Sequence, residues 1–277
     1  MQNIENGKIA ICISKIWCSR DFILIFASKL QRMAATFSII TITYNAEEEL
    51  PATLASVAEQ TCTDYEYLVV DGASTDGTVA LAQRSGIDSI RIVSERDGGL
   101  YDAMNKGIAL ATGKYLIFMN AGDAFHSRTT LAQYAEAARY NPDIIYGQTQ
   151  LVDATRRCIG MRHLTAPRNL TFESFRHGML VCHQSMAVRR EMAEPYDLQY
   201  RFSADYEWCL RILKKMQTSR YIDDVVTDYL TDGLTDRNHS ASLRERYRIM
   251  CKYYGTIPTT LRHVWFALRN LKRKLLK

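Results

Sequence analysis

Over residues 37–146, short apolar runs alternate with amphipathic stretches. Residues 37–44, 65–70, 90–94, 115–119 and 143–146 are brief runs rich in Ile, Val, Tyr and Phe, and each predicts a strand. Between them the apolar positions recur at helical spacing. Leu50, Leu54 and Val57 share one face of a helix from about Glu47 to Gln60. A second helix is expected near Thr78 to Ser85, with Asp76-Gly-Thr as its N-terminal cap. A third, Leu100 to Ala111, puts Leu100, Met104, Ile108 and Ala111 on one side and Asp102, Asn105 and Lys106 on the other, and Gly113 reads as its C-terminal glycine. A helix from Leu131 to Tyr140 precedes the strand at 143–146. The pattern predicts an α/β fold, a mostly parallel sheet with helices on both faces. After Gln150 it changes to short strands and loops, with helices returning at Ala204 to Lys215 and Leu243 to Tyr254.

Three predicted strands end in carboxylates or amides: Tyr44-Asn45, the run Asp71 to Gly77, and Asn120-Ala-Gly-Asp123. In an open α/β sheet the ligand crevice lies beyond the carboxyl ends of the strands. One polar, acid-rich pocket is therefore expected, suited to a sugar, a nucleotide and a divalent cation, and poorly suited to DNA. Gly72 and Gly77 have the glycine spacing of a phosphate loop, but Thr78 stands where its Lys belongs, so that reading fails. A carboxylate here would repel phosphate, and Asp71 is expected to accept a hydrogen bond from a base or ribose. Asp76 fits a cap better than a ligand contact. Gly98 and Gly99 would let backbone approach a ligand closely.

Charge and cysteine content narrow the class. The 277 residues carry a net charge of +5, but residues 237–277 hold 11 Lys plus Arg against the single acid Glu245, so the remainder has 24 basic against 29 acidic groups. An acidic body with a basic tail argues against a nucleic-acid binder, whose basic groups cluster on the working face. Seven scattered cysteines without a Cys-x-x-Cys pair imply reduced thiols in the cytosol, without a zinc site or disulfide framework. Ile9 to Leu30 is interrupted by Lys15, Arg20, Asp21 and Lys29, which excludes a membrane span there, and no signal-peptide pattern precedes it. Met33-Ala-Ala-Thr-Phe reads as a natural start, making residues 1–32 an upstream extension. In the tail, Leu261, Val264, Trp265, Leu268, Leu271 and Leu275 form an apolar stripe beside Arg262, Arg269, Lys272, Arg273, Lys274 and Lys277. Such a helix suits an anionic membrane surface; a terminal helix packed on the domain is the alternative.

Over about residues 36 to 240 the chain resembles the family 2 glycosyltransferases with the GT-A fold, in particular the bacterial polysaccharide-assembly members of the colanic-acid or capsule type. The stretches that carry the resemblance are Ser38-Ile-Ile-Thr-Ile-Thr-Tyr-Asn45, Val70-Asp-Gly-Ala-Ser-Thr-Asp-Gly-Thr78, Gly99-Leu-Tyr-Asp-Ala-Met-Asn-Lys-Gly107, Leu116-Ile-Phe-Met-Asn-Ala-Gly-Asp123, His183-Gln184 and Ser203-Ala-Asp-Tyr-Glu-Trp208. It implies a nucleotide-sugar-binding half at 33–150 and an acceptor and catalytic half at 151–240; residues 1–32 and the basic helical segment at 241–277 lie outside it.

By the same resemblance Tyr44 and Asn45 meet the nucleotide base, though Asn45 also suits a helix N-cap. Asp71 contacts the base, Asp102 the donor sugar or nucleotide, and Asn120 the donor. Asp123 matches the second, metal-binding carboxylate of the family's Asp-x-Asp pair, whose first position here is Ala121. One carboxylate with diphosphate oxygens and water is acceptable for Mg²⁺ or Mn²⁺, with weak binding of metal alone. Asp205 is the expected general base of an inverting transfer, and it also suits a first-turn acid favoured by the helix dipole. Glu207 would point elsewhere. His183 and Gln184 line the acceptor side, and Arg237 would pair with diphosphate. The implied partners are a UDP- or GDP-linked sugar and a glycan or polyprenyl-linked acceptor, with the protein cytoplasmic and peripheral on the inner face of the membrane. Two rival readings are a sugar nucleotidyltransferase and a non-catalytic nucleotide-sugar binder. The first should carry a Gly-rich, basic loop after its first strand, where this chain has Ala46-Glu-Glu-Glu.

Overall fold

The computed structural model describes residues 35–231 and 239–264. The expected extension at 1–32, the loop with Arg237, and the tail beyond residue 264 lie outside the described residues.

The chain lays down β1 (Phe37–Thr43), α1 (Leu50–Ala58), β2 (Tyr65–Asp71), α2 (Thr78–Gln83), β3 (Ile90–Ser94), α3 (Leu100–Leu110) and β4 (Tyr115–Phe118) in the predicted alternation. β5 (Ala124–Phe125), α4 (Thr130–Ala138), β6 (Ile144–Val152), β7 (Cys158–Met161), β8 (Met186–Arg189), α5 (Ala204–Lys215), β9 (Ser219–Leu230) and α6 (His239–Tyr254) follow. The strands form one sheet in the order β3-β2-β1-β4-β8-β6-β9-β5, with β7 beside β6. β1 to β4, β6 and β9 point one way; β5, β7 and β8 oppose them.

Both faces of β1 are buried, as a sheet covered on two sides requires. Ile40 and Ile42 join Leu68, Val70 and Met104 in the core under α3, which extends to Trp208 of α5. Phe37 and Ile39 pack with Leu50, Leu54, Val57 and Tyr134 on the opposite face. The period-two alternation of a strand thus feeds two layers from one run of sequence.

Three differences from the sequence reading have local causes. α1 starts at Leu50, not Glu47, because Asn45 takes a left-handed φ of 47° that turns the chain first. Gly113 is not a left-handed cap: it lies against β1, where a Cβ would come 2.7 Å from the Phe37 carbonyl carbon and the Ser38 nitrogen. The strand at 143–146 does not sit next to β4 as a simple alternation implies, since the antiparallel β8 inserts between them.

That insertion matters for the site. Ile117 of β4 pairs with Ala187 of β8, so the 3₁₀ turn His183–Ser185 that enters β8 arrives at the carboxyl end of β4. β9 runs parallel to β6, and its end, Leu230, reaches the same edge, where β5 pairs with Thr227 and Asp228.

Candidate active site

The corner after β1 and β2 is a loop held by its own acids. Asp71 is 0% exposed and its carboxylate accepts from the Thr43 hydroxyl at 2.9 Å, the Ser94 hydroxyl at 2.6 Å, the Ser74 N–H at 2.9 Å and the Ser74 hydroxyl. Burial alone would raise its pKa; the bonds from Ser74, Ser94 and Thr43 outweigh that and hold the carboxyl below its ordinary value. Asp71 is thus buried with four donors on its two oxygens, and in the protein alone it shapes the loop. Asn45 acts likewise, its side-chain oxygen accepting from the Thr75 N–H at 2.9 Å while its own N–H donates to Ser74 Oγ at 2.8 Å. It is not a helix N-cap. Asp76 accepts from the Thr78 N–H at 3.0 Å and the Glu47 N–H at 3.2 Å, a cap as expected and a brace between two loops.

Beside this loop Tyr44 is 68% exposed, and at Gly72 a Cβ would come within 3.2 Å of its ring and within 2.7 Å of Asp97 Oδ2, so glycine is what lets both side chains close on the backbone there. Asp97 was not singled out by the sequence reading. Asp102 accepts from the Gly98 N–H at 2.8 Å and so ties the Gly98-Gly99 turn to the start of α3. Asn105 is structural, exchanging two hydrogen bonds with the Tyr196 backbone.

The second corner follows β4. Asp123 is only 4% exposed; one oxygen accepts from the Leu230 N–H at 3.0 Å and the other from Gln184 Nε2 at 2.9 Å. Burial pushes its carboxyl up to about 7 against the opposing pull of these bonds and of Arg156. In the same turn the buried Asn120 Oδ1 has no hydrogen-bond partner, while the Asn120 carbonyl accepts from the Asp123 N–H at 2.9 Å. A buried carboxylate beside an unsatisfied amide oxygen is a hard-oxygen donor set that fits Mg²⁺ or Mn²⁺. No cluster of three His, Cys, Asp or Glu able to hold a metal occurs among the described residues, so the rest of the coordination shell would come from diphosphate and water.

The third group is Asp205, at the start of α5. Glu245 of α6 accepts the N–H groups of Arg201 and Phe202 at 3.0 and 2.8 Å, and Ser242 meets Ser203 at 3.0 Å, fixing the approach to the helix. Asp205 Oδ1 accepts from the Tyr206 N–H at 2.8 Å and the Tyr101 hydroxyl at 3.2 Å. Its Oδ2 faces His183, with Nδ1 3.7 Å away. Beneath them Tyr196 stacks between Tyr101 (5.5 Å) and Trp208 (4.9 Å), and Phe118 turns its edge toward His183, Tyr196 and Trp208. Such ring pairs contribute about 0.5–1.5 kcal/mol each beyond their burial, which makes this floor rigid. Glu207 points away, as expected, into a pairing with Arg211 at 2.9 Å and Tyr253.

His183 and Gln184 are thus adjacent residues that face different acids. Gln184 bonds to Asp123 and His183 lies beside Asp205, while the Thr227 hydroxyl donates to the Gln184 carbonyl at 3.0 Å and fixes the turn. Through them the structure brings Asp123 and Asp205 to one edge. A groove of about 690 Å³ lies elsewhere: Pro142, Phe172, Leu213 and Thr218 line it at the amino-terminal ends of β6 and β9. A smaller one of about 230 Å³, lined by Asn45, Glu47 to Glu49 and Asp76, opens at the carboxyl edge.

A curled mixed sheet of this order, with acids gathered at the carboxyl edge, defines a GT-A-type α/β protein. The Glycosyl transferase family 2 profile matches residues 38–196, more than half of the chain, and the chain belongs to that family. Among its relatives is a PGL/p-HBAD biosynthesis glycosyltransferase of Mycobacterium tuberculosis, 36% identical over 208 residues, which span 71% of this chain and 77% of that one. The UDP-Glc:alpha-D-GlcNAc-diphosphoundecaprenol beta-1,3-glucosyltransferase WfgD of Escherichia coli is 25% identical over 178 residues, covering 64% and 69% of the two chains. Of solved structures, S. aureus TarS 1-349 in complex with UDP superposes with a TM-score of 0.63 at 16% identity, over 79% of this chain and 66% of that one. Mannosyltransferase PcManGT from Pyrobaculum calidifontis, in complex with GDP-Man and Mn2+, gives a TM-score of 0.58 at 20% identity, over 80% of this chain and 64% of that one. At such identities these two establish the fold alone.

Proposed function

We propose that the protein is an inverting, hexosyl-type glycosyltransferase that moves a sugar from a UDP- or GDP-linked donor to a glycan or polyprenyl-linked acceptor in surface polysaccharide synthesis. The observation that carries the reading is the turn at 183–184, which sets a cation-type carboxylate and a base-type carboxylate on one edge through consecutive residues. Tyr44 and Asp97 flank the base, with the Asp71 loop behind them, and Asn45 and Asp102 hold the backbone that the nucleotide would meet. Asp123, with Asn120 in the same turn, would hold Mg²⁺ or Mn²⁺, which supplies charge neutralisation for a departing diphosphate. Asp205 removes the acceptor proton on the face opposite the leaving group, so the anomeric centre inverts. The relatives' donors, UDP-Glc in one name and GDP-Man in another, support the donor class. Arg237 is proposed on the diphosphate side.

No helix among the described residues is long and apolar enough to cross a membrane. Ile257, Leu261 and Val264 are nonetheless 75%, 67% and 52% exposed at helical spacing, beside Arg262 and just ahead of the basic tail. We place this stripe against the anionic inner face of the cytoplasmic membrane, close to a lipid-linked acceptor.

A thermal-shift series with UDP and GDP, with and without Mn²⁺, tests the donor site: stabilisation by one base only, dependent on metal, is expected, and no response to either would contradict it. Co-sedimentation with phosphatidylglycerol vesicles, lost in a chain ending at Thr260, tests the stripe.

A further inference from the structure

The two oxygens of Asp205 are not equivalent. Oδ1 already holds the Tyr206 N–H and the Tyr101 hydroxyl. Oδ2 faces His183 Nδ1 at 3.7 Å. That gap is too long for a direct N–H···O bond, and it is the span that one oxygen bridging the two atoms would cover. His183 is 6% exposed, and among the described residues neither ring nitrogen has a hydrogen-bond partner. An unsatisfied buried polar group is costly, and this one is held in place by Phe118 at its ring and by the Gln184–Asp123 bond next to it. Burial holds the imidazole below its ordinary pKa against the pull of the neighbouring Asp205.

We propose that His183 and Asp205 Oδ2 form a two-point seat for the acceptor hydroxyl, with His183 donating through Nδ1–H to the oxygen whose proton Asp205 takes. The inference rests on the assignment of Asp205 as base. In this seat the hydroxyl hydrogen points at Oδ2, one lone pair accepts from Nδ1–H, and the remaining lone pair faces the anomeric carbon. As the new C1–O bond forms, the O–H pair stays on the attacking oxygen and the proton passes to Oδ2. The bond from C1 to the diphosphate oxygen breaks with its electrons on the diphosphate. His183 keeps its proton throughout: it positions and polarises, and Asp205 is the base. Tyr101 holds Oδ1, which leaves only Oδ2 for the reaction.

The test uses the full chain with UDP-glucose or GDP-mannose as donor, n-octyl glycosides as alcohols, and release of nucleoside diphosphate as the readout, with donor hydrolysis by water followed in parallel. His183→Ala should lower kcat/KM for the alcohol, or the hydrolysis rate, by about 10- to 100-fold, while the thermal shift with UDP or GDP and Mn²⁺ stays unchanged. His183→Asn, whose side-chain N–H can stand where Nδ1–H stands, should recover most of the loss. In ¹⁵N-histidine spectra the signal absent from the Asn variant should be a neutral Nδ1–H ring. Wild-type rates in His183→Ala, an equal loss of nucleotide response, or an Nε2–H ring would overturn the seat. If Asp205→Asn transfers normally, the base assignment itself fails. If Asp205→Asn is inactive and His183→Ala is normal, only the seat fails.

Discussion

The two acidic corners of the sheet edge look alike in sequence and differ in how their polar groups are satisfied. Around Asp71 the protein engages both oxygens of Asp71, through Thr43, Ser74 and Ser94, both of Asp76, through Thr78 and Glu47, and one of Asp102, through Gly98. Around Asp123 and Asp205 the carboxylate of Asp123 is likewise engaged, by Leu230 and Gln184, but its surroundings are not fully paired. Among the described residues, Asn120 Oδ1 and both His183 nitrogens lack hydrogen-bond partners, and Asp205 Oδ2 has only a distant one. Buried polar groups are almost always paired, so the unpaired atoms of Asn120 and His183 leave hydrogen-bonding capacity that a bound molecule could use. On the proposed function the first corner is a mould and the second is where the chemistry would take place.

The comparison can be broken first at Asp205. Asp205→Asn should cut transfer by about 10²–10⁴-fold, the usual contribution of a positioned general base, with the melting temperature close to that of the wild type; a large loss of stability instead would make Asp205 another structural acid.

Next is Asp123. Its carboxyl titrates near 7 in the fold, far above its ordinary value, so between the two values the folded protein keeps a proton that the unfolded chain has released. Its contribution to stability therefore falls as pH rises through that window. A cation needs the ionised form, so the Mn²⁺-dependent stabilisation by UDP or GDP should grow from about pH 6 to about pH 8. Asp123→Asn should abolish it at every pH. A response that is flat with pH, or that survives in Asp123→Asn, would place the cation elsewhere.

The smallest effect is expected at Asp71, where Asp71→Asn should cost about 1–3 kcal/mol of stability and weaken nucleotide response only through the loop. Activity lost with stability intact would return Asp71 to direct contact with the donor.

The half of the fold up to β4 was legible in the sequence because each strand is a short, largely apolar run, doubly buried in β1 and β4, and each helix keeps its period. β9 was not legible: Asp223, Asp224 and Asp228 interrupt its apolar positions, and its pairing with β6 and β5 supports it. The candidate residues at 123, 184 and 205 could be named from motifs, but their meeting could not. It depends on β8 entering the sheet in reverse, which swings residues 183–185 to the carboxyl edge. Asp97, Tyr101, Tyr196 and Glu245 escaped notice because each acts through a partner far along the chain. The hydrogen bonds that hold Asp71 were not legible either: its partners are serine and threonine hydroxyls, which any polar loop supplies.

That Asp123 and Asp205 serve one bound donor can be tested with paramagnetic Mn²⁺ in the presence of UDP or GDP, read on ¹⁵N-labelled histidine. The His183 ring signal should broaden on Mn²⁺ addition only when nucleoside diphosphate is present, and should stay sharp in Asp123→Asn. A His183 signal untouched by bound Mn²⁺, or broadened equally without Asp123, would contradict the convergence of the two acids.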